Sequence, residues 1–274
     1  MALSMTTDRV SQVAAALQQR RLLKAIAGIN NGVLHRIEAL VRTANRVAAT
    51  QPAMQLAVDM QADAALVAAI RPQTTLPLFA SSVSPQALAQ ALAAGADVAE
   101  LGNYDALYTD GQFFDAAQVL ELTQQTLALL PAQRLCVTVP GHLHRDAQAR
   151  LAQQLTALGV LSLQTEGAAR LLGTPPRVQA LLPEEKLALT LENTRVLRAA
   201  VATPVLTASG LSTAPDVALA LAAGACGVGV GSALMQLASA APDDDDAMYA
   251  LLVAMAAEAA PVVAKSVRPQ SLVA

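Results

Sequence analysis

Lys24 interrupts the apolar run Leu22-Leu23-Lys24-Ala25-Ile26, and a lysine in such a place is unfavourable unless it is paired or used. If the run is a strand, Lys24, Ile26 and Gly28 share one face, with Asn30 just beyond. Glu100 shares a face with Val98 and Gly102 in a second run, and Glu166 with Gln164 in a third that closes on Gly167. One amine and two carboxylates around an apolar cavity suffice for enolisation, Schiff-base or isomerase chemistry. The same three groups would equally make a buried salt-bridge network, and both readings stand. Lys24, Glu100 and Glu166 are the expected catalytic set.

The late part of the chain carries a different signature. Ala208-Ser209-Gly210 ends one run, and Gly227-Val228-Gly229-Val230-Gly231-Ser232 makes the next. Glycine at a strand end lets the backbone approach a ligand and present its N–H groups. A helix opening at Ser232 would add unpaired donors and the positive end of its dipole. Ser209, Gly210, Gly229, Gly231 and Ser232 are therefore the expected phosphate-binding set. Relief of crowding alone would account for Gly227 and Gly229, but not for the neighbouring Ser209-Gly210. Neither loop holds a lysine or arginine, so the site is expected to consist of amides and hydroxyls without a basic clamp.

Around this core lie secondary candidates. Asp59 ends a weaker run and would add a carboxylate, while Thr138 and Thr207 would each contribute a hydroxyl and Gln164 an amide. Asn30 and Asn103 sit in turns, where asparagine often serves its own backbone. His142 follows Pro140-Gly141 and suits acid/base work in a loop. His142 and His144 lack a third ligand at metal spacing, and Asp243 to Asp246 lack the glycine of a calcium loop. Neither a metal nor a cofactor is expected, and the acidic run reads as a helix start or a disordered acidic segment.

These residues need elements to hold them at one place. Strand-like runs at 22–29, 55–59, 76–81, 97–101, 134–140, 161–166, 203–209 and 227–230 are each followed by a helical stretch. Asp63 is placed to cap one helix and Ser84-Pro85 to open another, while 168–183 is an irregular excursion. Eight strand-helix units favour closure into a single (β/α)8 TIM barrel over an open sheet. An open dinucleotide-binding sheet fits less well, because the glycines lack its fingerprint and its acidic partner. The expected organisation is an N-terminal extension or capping helix at 1–21, the barrel at 22–262 and a tail at 263–274.

Bulk properties narrow the partners. The chain has 274 residues, a formal charge of -3 and few aromatic side chains, 2% in all, so it lacks both the cationic stripe and the stacking platforms that nucleic acid requires. No run of about 18 apolar residues precedes the alanine-rich end, and that end carries Glu258 and Pro261 and reads as a peripheral helix, so no membrane association is expected. Cys136 and Cys226 lie in apolar runs, as small buried hydrophobes do. The alanine-rich helices leave room for a homodimer.

In sequence order, several pieces carry a likeness: Lys24-Ala25-Ile26-Ala27-Gly28-Ile29-Asn30-Asn31, Glu100-Leu101-Gly102-Asn103-Tyr104-Asp105, Gly111-Gln112-Phe113-Phe114, Val137-Thr138-Val139-Pro140, Gln164-Thr165-Glu166-Gly167 and Ala208-Ser209-Gly210-Leu211-Ser212, with the final glycine run. Together they span most of the chain, and it resembles the Ycf23 family of plastids and cyanobacteria. The resemblance implies a barrel of the phosphate-binding, ribulose-phosphate-like type and a cytoplasmic place, in a cyanobacterial cytosol or a plastid stroma. It brings no reaction with it. Where the family usually sets a histidine directly after the proline, this chain inserts Gly141 before His142. The expected function is binding of a small phosphorylated metabolite, with lyase, isomerase or synthase chemistry by Lys24 and the strand-end carboxylates. The alternative is a sensing or scaffold barrel without turnover.

Overall fold

Eight short runs, buried along nearly their whole length, pair in parallel as they must when both faces are covered. In the computed structural model, which describes residues 2–171, 177–178, 181–240 and 244–267, they are β1 (Leu22–Ile26), β2 (Gln55–Gln61), β3 (Leu78–Ser82), β4 (Val98–Leu101), β5 (Leu135–Thr138), β6 (Ser162–Gln164), β9 (Val205–Ala208) and β10 (Gly227–Val230). A two-residue antiparallel ribbon, β7 (Arg170–Leu171) and β8 (Arg177–Val178), lies between β6 and β9 in sequence. The eight parallel strands close in the order β1-β10-β9-β6-β5-β4-β3-β2, the sequential order of a (β/α)8 barrel.

The crossover helices are α2 (Leu34–Thr50), α3 (Ala64–Ile70), α4 (Pro85–Ala93), α5 (Ala116–Leu127), α6 (Arg145–Ala157), α7 (Pro183–Ala200) and α8 (Ala214–Ala222). Their starts follow from local chemistry. Asp63 accepts from the Ala65 and Leu66 amides at 2.8 and 3.0 Å, Ser84 caps α4 ahead of Pro85, and Asp115 and Gln118 form a reciprocal box at α5. After β10 come α9 (Ser232–Ala240) and α10 (Asp246–Val267), and α10 packs on α8 and α2. Asp245 and Asp246 pair with Arg42 and Arg46 of α2, each at 3.0 Å, so this part of the acidic run joins the helix start to its neighbour. Asp243 lies outside the described residues.

The first helix, α1 (Ala2–Gln18), sends Val13, Ala16 and Leu17 into the same cluster as the inward-facing Leu22, Ala57, Phe79, Val98, Cys136 and Leu206. It closes the lower end of the barrel and leaves the other end, at the strand C-termini, to the site. At this same end Asp97, just before β4, binds Arg71 at 2.9 Å and the Leu78 amide at 2.9 Å, a network on the face where barrels store stability.

Four strands, β1, β5, β6 and β9, end earlier than their apolar runs, and two of these endings bear on the site. The first stops at Ile26 because Gly28 turns with φ +93°. The sixth stops at Gln164, which leaves Thr165 and Glu166 beyond the ladder and free of its strict alternation. The second, weakest by sequence, extends through Gln61.

Candidate functional site

A cavity of about 250 Å³ opens at the strand C-termini, walled by the ends of β1, β6, β9 and β10, the turn after β4 and the start of α7. That size is at the small end for metabolite sites.

Ser209, Gly210, Gly229, Gly231 and Ser232 line one end of it. Ser209 and Gly210 both adopt positive φ, 85° and 80°. For a serine this costs on the order of 1–2 kcal/mol, and such strain concentrates at functional sites. Ser232 opens α9, so the first amides of that helix, which have no partner within it, face the same end. Gly229 lies where a Cβ would meet Ile26 Cδ1 at 2.8 Å and Ala208 Cβ at 3.0 Å, so it is required by barrel packing.

A cation is present after all, and it comes from elsewhere in the chain. Lys186, in the first turns of α7, lines this end with its ammonium 3.0 Å from Asp105 Oδ2. The Ser209 hydroxyl donates to the same oxygen at 3.2 Å. Two glycines bring the helix this close: the Gly167 backbone abuts the Lys186 carbonyl, and a Cβ on Gly210 would sit 2.7 Å from the Leu187 nitrogen. Gly210→Ala is expected to lower stability by about 1–3 kcal/mol through overpacking, with positive φ adding strain. A thermal melt checks this, and an unchanged midpoint would refute the tight seating of α7.

Below the cavity floor lies a sealed polar cluster. Lys24 has no solvent exposure, and its ammonium contacts Asp59 Oδ2 at 3.1 Å, Gln164 Oε1 at 2.8 Å and Glu100 Oε2. The Ser81 hydroxyl donates to Asp59 at 2.5 Å, and the Phe79 ring lies under the ammonium, 4.9 Å to its centroid. Burial alone would lower the Lys24 pKa, but the two carboxylate charges outweigh it and hold the amine above its ordinary value. Glu100 is pushed up to about 7, by burial and by Asp59, against the attraction of Lys24. Lys24 is therefore a protonated, enclosed ion, unable to act as a nucleophile on anything in the cavity. Gln164 connects the cluster to the cavity, since it lines the wall while donating to Glu100 and, at 3.1 Å, to Asn103 Oδ1.

Glu166 is only 2% exposed yet lines the cavity. Tyr108 Oη donates to Oε2 at 2.8 Å and the Asp105 amide to Oε1 at 3.0 Å. Burial, then the Asp105 charge, push its pKa up to about 8. Tyr108 is in turn 3.0 Å from His142 Nδ1, and His142 is half-buried. When Glu166 is protonated, the Tyr108 hydroxyl can accept its proton and donate to His142, which gives the enclosed carboxyl a route of exchange toward the surface.

The family model described as a protein of unknown function, DUF561, matches residues 9–260. A relative described as uncharacterized protein ycf23, from Cyanophora paradoxa, is 32% identical over 227 residues, 81% of this chain and 88% of its own. Its counterpart from Antithamnion sp. is 30% identical over 236 residues, 84% of this chain and 83% of its own. The chain belongs to the Ycf23 family. The Ycf23 barrel is also similar to solved structures titled "QR15, an Aldolase" and "Native KDPGal structure", with TM-scores of 0.54 and 0.55. Each is 13% identical; they cover 83% and 88% of this chain, and 99% and 96% of their own. At that identity the likeness is one of fold.

Among the residues expected to act, this Ycf23 chain brings Glu166, Gln164, Asn103 and the Ser209, Gly210, Gly229, Gly231 and Ser232 corner to one cavity. Lys24, Glu100, Asp59 and Thr138 belong to the buried layer beneath, Thr138 accepting from the Asn103 amide at 3.3 Å. Asn30 is exposed and ties its loop to the Ala106 carbonyl at 3.1 Å. Thr207 faces outward to Thr194 of α7 at 2.8 Å, because Leu206 and Ala208 take the inward positions of β9. Lys186, Asp105 and Tyr108 were not among the candidates. Lys186 had a signal: a lysine in the first turns of a helix opposes the helix dipole. Tyr108 had one too, since Tyr104, Tyr108, Phe113 and Phe114 put four of six aromatic residues within one short segment.

Proposed function

We propose that this cavity binds a small phosphorylated metabolite, its phosphate at the Ser209, Gly210 and Ser232 corner beside Lys186, and that Glu166, beyond Asp105, moves a proton. The observation that carries the reading is convergence. One small cavity joins strained backbone, a helix start and an ammonium to an enclosed carboxyl, with Asp105 between them. A carboxyl pushed up to about 8 is close enough to neutral pH to serve as acid and as base. The reaction class that suits it is proton transfer beside a carbonyl, as in isomerases and lyases. Lys24, Asp59 and Glu100 then act as the support that fixes Gln164 and Asn103, rather than as reacting groups. The barrel likeness to aldolase-titled structures is compatible with this class and adds no residue to it.

Lys186→Ala is expected to weaken binding of glycerol 3-phosphate by about 10-fold to 100-fold, as loss of a charge-assisted contact does. Isothermal titration would measure it, and undiminished affinity would remove Lys186 from the site. One observation favours a second reading, binding without turnover: of the three residues expected to act, only Glu166 reaches the cavity. Sugar phosphates incubated with the protein in heavy water separate the two. Glu166-dependent loss of a carbon-bound proton signal supports catalysis; tight binding of the same compounds without exchange supports sensing.

A further inference from the structure

Asp105 is the feature of the anion corner that a plain phosphate site would lack. Its Oδ2 accepts from the Lys186 ammonium at 3.0 Å and the Ser209 hydroxyl at 3.2 Å, two of the side-chain donors at that end. The residue is held in place from both sides. Its amide donates to Glu166 at 3.0 Å, and the next carbonyl, of Ala106, accepts from Asn30 at 3.1 Å. The backbone that carries the carboxylate is therefore fixed in the wall, so the charge stays near the corner when a ligand enters. An anion oxygen bound to both donors would lie within roughly 6 Å of it, two hydrogen-bond lengths away, and like charges at that range repel.

Resting on the phosphate-corner reading above, we propose that Asp105 sets the substrate class of this site. Free phosphate and simple alkyl phosphates meet its charge uncompensated and bind weakly. A phosphomonoester with a hydroxyl on a neighbouring carbon replaces the donors that Asp105 gives up: the phosphate takes Lys186 and Ser209, and the hydroxyl donates to the Asp105 carboxylate. The selected class is therefore a hydroxylated phosphomonoester, such as a polyol or sugar phosphate. The carboxylate discriminates within a few ångströms of the phosphate, apart from whatever chemistry occurs at Glu166.

Calorimetric titration of the full chain with inorganic phosphate, propyl phosphate and glycerol 3-phosphate tests this, using wild type, Asp105→Asn and Lys186→Ala with a thermal melt on each. Wild type is expected to prefer glycerol 3-phosphate to propyl phosphate by about 10-fold, the worth of one charge-assisted hydrogen bond. Asp105→Asn is expected to tighten inorganic and propyl phosphate by about 10-fold and to reduce that preference below about 3-fold. If Asp105→Asn, folded, binds all three no better than wild type, the selective role is overturned and Asp105 only holds Lys186. If neither chain binds any of the three, or if Lys186→Ala leaves binding unchanged, the phosphate-corner reading fails.

Discussion

Lys24→Met is expected to lower the unfolding free energy by about 3–5 kcal/mol, as breaking one member of a buried ion cluster does. The substitution keeps most of the side-chain volume, so packing over Phe79 is largely retained. What is lost is the cation shared by Asp59 and Glu100, both without solvent exposure. The two carboxylates then face each other without compensation, and Gln164 loses the donor to its Oε1. For a chain of this length each kcal/mol moves the melting midpoint by about 2–4 °C, so the fall should be plain in a thermal melt. Adding Asp59→Asn and Glu100→Gln to Lys24→Met is expected to restore part of the stability, since an uncharged cluster removes the desolvation that the missing ammonium offset. A single substitution costing under about 1 kcal/mol would contradict a sealed charge cluster; a triple variant less stable than the single would contradict the electrostatic cause.

The pH dependence of stability carries the second large effect, and its sign is unusual for carboxyl groups. Glu166 is pushed from an ordinary 4.5 to about 8 in the folded chain. Between those values the folded state keeps a proton that the unfolded state has released, so the unfolded state binds fewer protons there and stability falls as pH rises. The stabilisation from the protonated carboxyl is complete below 4.5 and gone above about 8. Glu100, pushed up to about 7, slopes the same way over the lower part of that window. Glu166→Gln mimics the protonated acid, with its amide able to donate to Tyr108 while Oε1 keeps the Asp105 amide. Melting curves from pH 5 to 9 should therefore show wild type losing stability through this range and the glutamine variant losing less, with the largest advantage near pH 9. Parallel profiles for the two chains would mean that Glu166 is ionised throughout.

Much of the barrel could be read directly from the residues, because fully buried parallel strands leave a simple trace. Val98-Ala99-Glu100-Leu101 and Leu135-Cys136-Val137-Thr138 are apolar but for one inward group each. Asp63, Ser84 and the glycines at the turns marked where helices begin and end. Strand parity also gave the face of Lys24 correctly, but parity says nothing of height. The stagger of a barrel sets Ile26 opposite Asp59 while Lys24 aligns with Ala57, and this registration encloses the amine one layer below the cavity. Thr207, expected to contribute a hydroxyl, instead faces α7, because its neighbours Leu206 and Ala208 take the interior. Lys186 and Asp105 escaped notice for another reason. Each is contributed by a segment outside the glycine loops, and their meeting at Ser209 is a product of tertiary packing that local pattern does not encode.

The paired glycine gaps that seat α7 have an implication for how the chain tolerates change. Gly167 and Gly210 fix the backbone at Lys186 and Leu187 from the turns after β6 and β9, so the ammonium takes its position from the barrel. A side chain at either glycine would push α7 away from the strand ends and carry the ammonium with it, so the reach of the cation is set by backbone spacing and would change with a single added methyl group.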